Sequence, residues 1–231
     1  MTPTGHGDAS GSGRGPHALV ADVERPELTD DDRHHLSRVL RLAPGDPLTV
    51  GDGAGAWREC RMGAELQPVG PVQRSSPPDR PITVGFALIK GSRPEMVVQK
   101  LTEIGVDRIV PFVAERSVVR WDPEKRRRQA ERMRRVAREA VMQCRRAWLP
   151  EVCPAVDFAE LTEAHVALAE PGGPPLTAVL PTVLVGPEGG WSDSERAAVS
   201  DRVGLGPQVM RADTAAIVAG ALLVDRRGGW G

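Results

Sequence analysis

Apolar positions repeat with different periods in the two parts of the chain. Up to about Val69 they form short alternating runs. Leu48-Thr-Val50 and Ala56-Trp-Arg-Glu-Cys-Arg61 read as half-buried strands joined by the Gly51-Asp-Gly-Ala-Gly55 turn. Ahead of them, Thr29 followed by three aspartates predicts a capped helix over 33–42, closed by the Pro44-Gly45-Asp46 turn. Between Gly70 and Pro81 the pattern stops: Pro71, Pro77, Pro78 and Pro81 surround Ser75-Ser76, the composition of a linker.

Beyond the linker the apolar runs are longer and nearly continuous, as in strands buried on both faces. Strands are predicted over 82–89, 108–113, 166–169 and 182–185, and helices over 94–104, 123–148, 192–203 and 214–226. Strands alternating with helices imply an α/β fold, a parallel sheet with helices on both faces. The expected organisation is a disordered Gly/Ser-rich tail over 1–15, a small β-rich module over 16–76 and an α/β domain over 77–231.

Composition narrows the function classes. The chain has 231 residues, 40% hydrophobic and 26% charged, ordinary for a globular protein. No apolar run approaches the roughly 20 residues a membrane helix needs, and no export signal opens the chain. Cys60, Cys144 and Cys153 have no metal-ligand or disulfide spacing, so no metal and a reducing cytoplasm are expected. His34 and His35 likewise lack a ligand pattern and are not expected to be catalytic.

Net charge is −1, but it is unevenly spread. Lys90 to Pro150 holds 16 Lys+Arg against 8 Asp+Glu, a local balance of +8. On the long helix Ala130, Met133, Ala137, Ala140, Val141, Cys144 and Trp148 form a core-facing stripe. Arg127, Arg128, Arg134, Arg135, Arg138 and Arg145 fall largely outside it. Such a face suits a polyanion, and a solvated helix rich in arginine is the alternative.

Two glycine-bearing turns carry the chemistry. Val183-Leu-Val-Gly-Pro-Glu-Gly-Gly-Trp-Ser192 is a buried strand ending in a turn ahead of a helix, where open α/β sheets bind ligands. It lacks the Lys-Ser/Thr ending of a phosphate-binding loop. About twenty residues on, Gly204-Leu-Gly-Pro-Gln-Val-Met-Arg-Ala-Asp-Thr-Ala-Ala216 opens the last helix. Val209 stands where a dinucleotide fingerprint needs its third glycine.

These two motifs together resemble the RsmE family of ribosomal RNA methyltransferases in the SPOUT superfamily. The resemblance extends, in order, to His34-His-Leu-x-x-Val-Leu-Arg-Leu42 with Gly45-Asp46, to Lys90-Gly91 ahead of Gln99-Lys-Leu-Thr-Glu-Ile-Gly105, and to Pro111-Phe-Val-Ala-Glu-Arg-Ser117. Arg138-Glu-Ala-x-x-Gln-Cys144 and Leu149-Pro-Glu-Val152 complete it. It implies a PUA-like N-terminal β-barrel and a C-terminal SPOUT α/β domain with a trefoil knot. It also implies a homodimer, S-adenosylmethionine as cofactor, and 16S rRNA of the small ribosomal subunit as partner. The implied reaction is methylation of uridine N3.

Carried onto this chain, the resemblance places the cofactor at Leu168, at Leu184, Val185, Gly186, Pro187, Glu188, Gly189 and Gly190, and at Leu205, Gly206, Met210, Arg211, Thr214 and Ala215. RNA contacts are expected at Arg38, Arg41, Lys90, Arg116, Arg127, Arg128, Arg135, Arg145 and Arg146. The chain departs from the family pattern at His17-Ala18, Ser92, Cys144-Arg-Arg146 and Asp213.

Uracil N3 must lose its proton to attack a methyl carbon, and a nearby cation would stabilise the resulting anion. Arg211 is the candidate cation, with a structural ion pair to Asp213 or Glu188 as the alternative. Asp213 or Glu188 could take the proton. Ribose 2′-O methylation and a non-enzymatic RNA chaperone are the rival functions.

Overall fold

The computed structural model describes residues 15–90, 93–162, 165–176 and 181–228. The tail expected over 1–15 therefore lies almost entirely outside the described residues, as do Gly91 and Ser92. Two compact units emerge, one of 1–77 with 138–149 and one of 78–137 with 150–231.

The first unit is built on a five-stranded sheet. β1 (His17–Leu19) runs parallel to β2 (Pro47–Gly51), and β3 (Ala56–Arg61) is antiparallel to β2. The far edge of β3 pairs with both β4 (Gln67–Pro68) and β5 (Gln73–Arg74). Alternation decides the faces. Leu48, Val50, Ala56 and Cys60 enter the core with Ala18, Val20 and Met62, while Thr49 points away and hydrogen-bonds His17 Nδ1 at 2.8 Å.

The expected helix over 33–42 begins earlier and changes pitch. Thr29 caps α1 (Asp30–His34), its side chain accepting the Asp32 N–H, and the chain continues as a π-helical turn over His35–Val39. The wider turn lets Leu36 reach the core, and Arg41 then takes a positive φ of 58°.

The second unit is a parallel sheet. In chain order it contains β6 (Thr83–Ala87), α2 (Arg93–Ile104), β7 (Arg108–Val113), α3 (Pro123–Cys144) as far as Ala137, β8 (Glu151–Val152), β9 (Val156–Asp157), β10 (Val166–Ala169) and β11 (Thr182–Val185). α4 (Asp193–Ala198), β12 (Asp201–Val203) and α5 (Ala212–Arg227) complete it. The strand order is β12-β10-β11-β6-β7-β8, with β9 also pairing β7. All these pairings are parallel.

Period-two alternation gives the sheet two apolar faces. Val84, Phe86, Ile109, Ala167, Val183 and Val185 meet α2, α5 and the Met133–Ala137 face of α3. Val166, Leu168, Leu184 and Phe112 meet Phe158, Trp191 and Val199. A Cβ on Gly220 of α5 would lie 2.5 Å from Leu101 Cδ2 of α2, so glycine lets these helices approach closely.

Two predicted helices are shorter than their sequence pattern. The segment expected as one helix over 192–203 breaks after Ala198 and returns as edge strand β12, because the backbone of Ala167–Ala169 offers a free ladder beside it. The helix expected over 123–148 ends at Cys144. Arg145 turns the chain with φ 58°, and Ala147 and Leu149 then hydrogen-bond the backbone of Gly55 and Gly53. Those backbone bonds belong to the first unit, with which 138–149 is grouped, although the apolar pattern places this segment in the α/β domain.

Candidate functional site

Three parallel strands, β12, β10 and β11, end side by side, and the two glycine-bearing turns leave from the ends of β11 and β12. They enclose a cleft of about 180 Å³. Val185, Leu205, Met210, Ala212 and Ala215 give it apolar walls, and Glu170, Glu188 and Gln208 give it polar groups. This is where an open α/β sheet offers its strand ends to a ligand.

The first turn is held rigidly. Gly190 N–H donates to the Pro187 carbonyl at 2.8 Å, and Gly190 sits at φ +70°, a conformation glycine takes without strain. Trp191 is buried. Its indole N–H donates to the Ala169 carbonyl at 3.0 Å and its ring stacks parallel to Phe112, centroids 6.0 Å apart. Gly186 passes beneath that indole: a Cβ there would lie 2.9–3.1 Å from three ring atoms.

α4 begins immediately after this turn, and its capping residues tie it to the segment following β7. Ser192 and Glu195 form a reciprocal capping box. The buried Glu195 carboxylate also accepts the Glu115 N–H at 2.8 Å. Glu115 in turn accepts the Ser194 hydroxyl at 2.7 Å, and hydrogen bonds from Ser192 and Ser194 hold its carboxyl below the usual carboxylate range. Arg116 donates to the Gly189 carbonyl at 3.2 Å. The segment 115–116 thus pins both ends of the 189–195 turn.

The carboxylates around the cleft are not equivalent. Glu170 is bound by Arg196 at 2.7 Å and Arg202 at 3.3 Å. Asp213 accepts the Thr214 N–H at 2.8 Å and pairs with Arg93 at 3.7 Å. Glu188 is exposed and has no hydrogen-bond or ion-pair partner among the described residues. It also borders a second cleft, lined by Leu88, Ile89, Lys90, Arg93, Val118 and Val119.

Comparison with known proteins assigns this architecture. A family model for the RNA methyltransferase domain matches residues 76–224, and one for the RNA methyltransferase PUA domain matches residues 28–65. Ribosomal RNA small subunit methyltransferase E of Mycobacterium tuberculosis is 34% identical over 82% of this chain and 82% of its own. The Bacillus subtilis protein of that name is 30% identical over 83% and 86%. The chain belongs to the ribosomal RNA small subunit methyltransferase E family. The motif resemblance thus identified the family correctly.

Among solved structures, a Legionella pneumophila protein in complex with bound S-adenosylmethionine superposes with TM-score 0.78. It is 27% identical, over 92% of this chain and 98% of its own. Methyltransferase E of Neisseria gonorrhoeae, 22% identical over 91% and 97%, shares the fold with TM-score 0.77.

Within this family member, Val185, Gly186, Pro187, Glu188, Gly190, Leu205, Gly206, Met210 and Ala215 line the first cleft. Other expected cofactor residues stand apart from its walls. Leu168 and Leu184 are sealed in the core with Phe112 and Trp191. Gly189 lies against Arg116, where an added Cβ would be 3.3 Å from the arginine Cβ. Thr214 is exposed. Arg211 is the exposed N-cap residue of α5, lines neither cleft, and pairs with neither Asp213 nor Glu188 among the described residues.

The basic residues also differ from one another. Arg38, Arg41, Lys90, Arg127 and Arg135 are exposed. Arg128 is paired with Glu124 at 2.8 Å. Arg145 donates to the Gly15 carbonyl, and Arg145 and Arg146 are half-buried. Arg134 and Arg138 hold the fold, donating to the carbonyls of Val152 and Leu19.

Trp191, Gln208 and Ala212 in the cleft wall stand within the two glycine-bearing motifs without having been singled out, whereas Glu170 in the wall and Glu195 behind it lie outside both motifs. The Ser192-x-x-Glu195 spacing alone marked a capping box. Among the described residues no helix is long and apolar enough to cross a membrane, and no cluster of His, Cys, Asp or Glu could hold a metal.

Proposed function

We propose that this protein transfers the methyl group of S-adenosylmethionine to N3 of a uridine in 16S rRNA of the small ribosomal subunit. The convergence of both glycine-bearing turns on one cleft at the ends of β10, β11 and β12 carries the reading. The residues present fit the cofactor. Apolar Val185, Leu205, Met210 and Ala215 suit a planar heterocycle, and the exposed Glu188 carboxylate suits a cationic sulfonium. Glycine at 186 and 190 brings backbone close without side chains in the way. Bound there, the cofactor supplies an activated methyl group. The chain's own task is to orient it and present an acceptor nitrogen in line.

The reading includes the trefoil knot, the PUA-like module as an RNA-holding element over 16–76, and action in the cytoplasm where ribosomes assemble. It also includes a homodimer. The cleft is smaller than the roughly 300–1,000 Å³ usual for ligand pockets, as expected if a second surface completes it. α5 leaves Ile217, Val218, Ala221 and Leu222 only partly covered, an apolar stripe suited to a partner copy.

The test is to incubate the protein with small-subunit particles and labelled S-adenosylmethionine, then analyse nucleosides by mass spectrometry. N3-methyluridine is expected. A methyl group on ribose oxygen or on carbon, or RNA binding with no transfer at all, overturns the reading.

A further inference from the structure

The second cleft is formed by the chain just beyond β6, Leu88 to Lys90, by Arg93 at the start of α2 and by Val118-Val119. Glu188 is the one residue lining both this cleft and the first. The two cavities therefore meet at a carboxylate that has no partner among the described residues. Around the second, aliphatic side chains supply a wall for a flat ring, and Lys90 and Arg93 supply positive charge. Arg93 is held by Asp213, whose carboxylate is itself fixed by the Thr214 N–H. A preorganised cation of this kind stabilises developing negative charge without having to move.

We propose that this second cleft seats the acceptor base, with Arg93 as the cation facing its carbonyl oxygens and Glu188 as the proton acceptor at the junction. The inference rests on the proposed function and adds to it the place and the groups. The N3–H bond breaks and Glu188 takes the proton. The N3 lone pair forms the bond to the methyl carbon, and the carbon–sulfur bond breaks with its electron pair returning to sulfur. Arg93, with a planar charge that does not titrate, hydrogen-bonds the carbonyl oxygens over which the N3 charge spreads. Asp213 is then a positioning residue, and Arg211, outside both clefts, is relieved of the cationic role.

The experiment has a structural arm and a kinetic arm. First, wild-type protein and particles establish which uridine is methylated. If no N3-methyluridine forms, the proposed function fails and this inference with it. A short RNA carrying 4-thiouridine at that position is then irradiated with the protein and S-adenosylhomocysteine, and the linked peptide is identified by mass spectrometry. A link to Leu88, Ile89, Lys90, Arg93, Val118 or Val119 supports the seat, and a link elsewhere overturns it while leaving the proposed function standing.

In single-turnover assays Arg93→Gln should lose about a hundredfold or more in rate. Its S-adenosylmethionine affinity by calorimetry should stay within about twofold, and Arg93→Lys should recover part of the loss. Asp213→Asn should lower the rate less than Arg93→Gln. Glu188→Gln should shift the pH–rate profile, its rate rising with pH as the base loses its proton to solvent. Normal turnover in Arg93→Gln, or a loss in Arg211→Ala as large as in Arg93→Gln, overturns the assignment.

Discussion

Replacing Glu195 by Gln tests how the cleft is held in shape. The Glu195 side chain belongs to a residue only 4% exposed, and its two oxygens accept different backbone donors. One takes the Ser192 N–H at 2.9 Å and the other the Glu115 N–H at 2.8 Å. Glutamine has nearly the same shape but offers one acceptor oxygen. The second donor would face an amide NH₂ and be left unsatisfied, which costs about 1–3 kcal/mol. The bond that remains falls from charge-assisted to neutral, a further loss of about 1 kcal/mol. Relief from burying a carboxylate offsets part of this, leaving about 2 kcal/mol. For a chain of this length each kcal/mol moves the melting point by about 2–4 °C, so a fall of about 4–8 °C is expected. The bond lost is one that fastens the turn lining the first cleft, the proposed cofactor site. S-adenosylmethionine should therefore bind about tenfold more weakly, equivalent to about 1.4 kcal/mol of added ordering. Calorimetry measures both quantities, with Ser194→Ala, which removes hydrogen bonds to the Glu115 carboxylate and the Ser192 hydroxyl but leaves both Glu195 bonds, as the control. A Glu195→Gln protein that melts within 1 °C of wild type and binds cofactor equally well, on the order of experimental error, would refute this account of the cleft.

Three further outcomes follow from the geometry. Gly186→Ala drives a methyl group into Trp191, which cannot retreat because it stacks on Phe112, so about 1–3 kcal/mol of stability and much of the cofactor affinity should be lost in thermal and binding titrations. His17 is buried, and this desolvation, followed by the charge of Arg145, lowers its pKa from 6.5 to about 4. The unfolded chain thus binds more protons in that window, so stability is full above about pH 6.5 and falls as pH drops towards 4, by at most about 3 kcal/mol. His17→Gln should flatten this slope in denaturant titrations between those pH values, and an unchanged slope would disprove the assignment. Changing Arg127, Arg128 and Arg135 together to Gln should reduce the salt dependence of RNA binding by about two phosphate contacts rather than three, because Arg128 is already paired with Glu124. An unchanged salt slope would show that these arginines are only solvated.

Local rules sufficed where one chain segment determines the outcome. Strands β3 and β7 begin and end at the residues their runs predict, and β10 and β11 fall on the runs on which they are expected to centre. Thr29 caps α1 for the same local reason, and the glycine turn after β11 lies in the strand–turn–helix order its sequence predicts and lines the first cleft. Ordered motifs along the chain also identified the family.

Tertiary structure decided what depends on two distant segments meeting. The break after Ala198 depends on a partner strand 34 positions earlier in the chain, and the end of α3 at Cys144 on backbone groups of Gly53 and Gly55. Leu168 and Leu184 sit in strands that lead to the site, and only the packed sheet shows that their side chains are buried with Phe112 and Trp191. The ion pair between Arg93 and Asp213 joins residues 120 positions apart. No periodicity reports such a pairing, so a sequence reading finds Arg211, which stands within the second glycine-bearing motif, and passes over Arg93, which lines the second cleft.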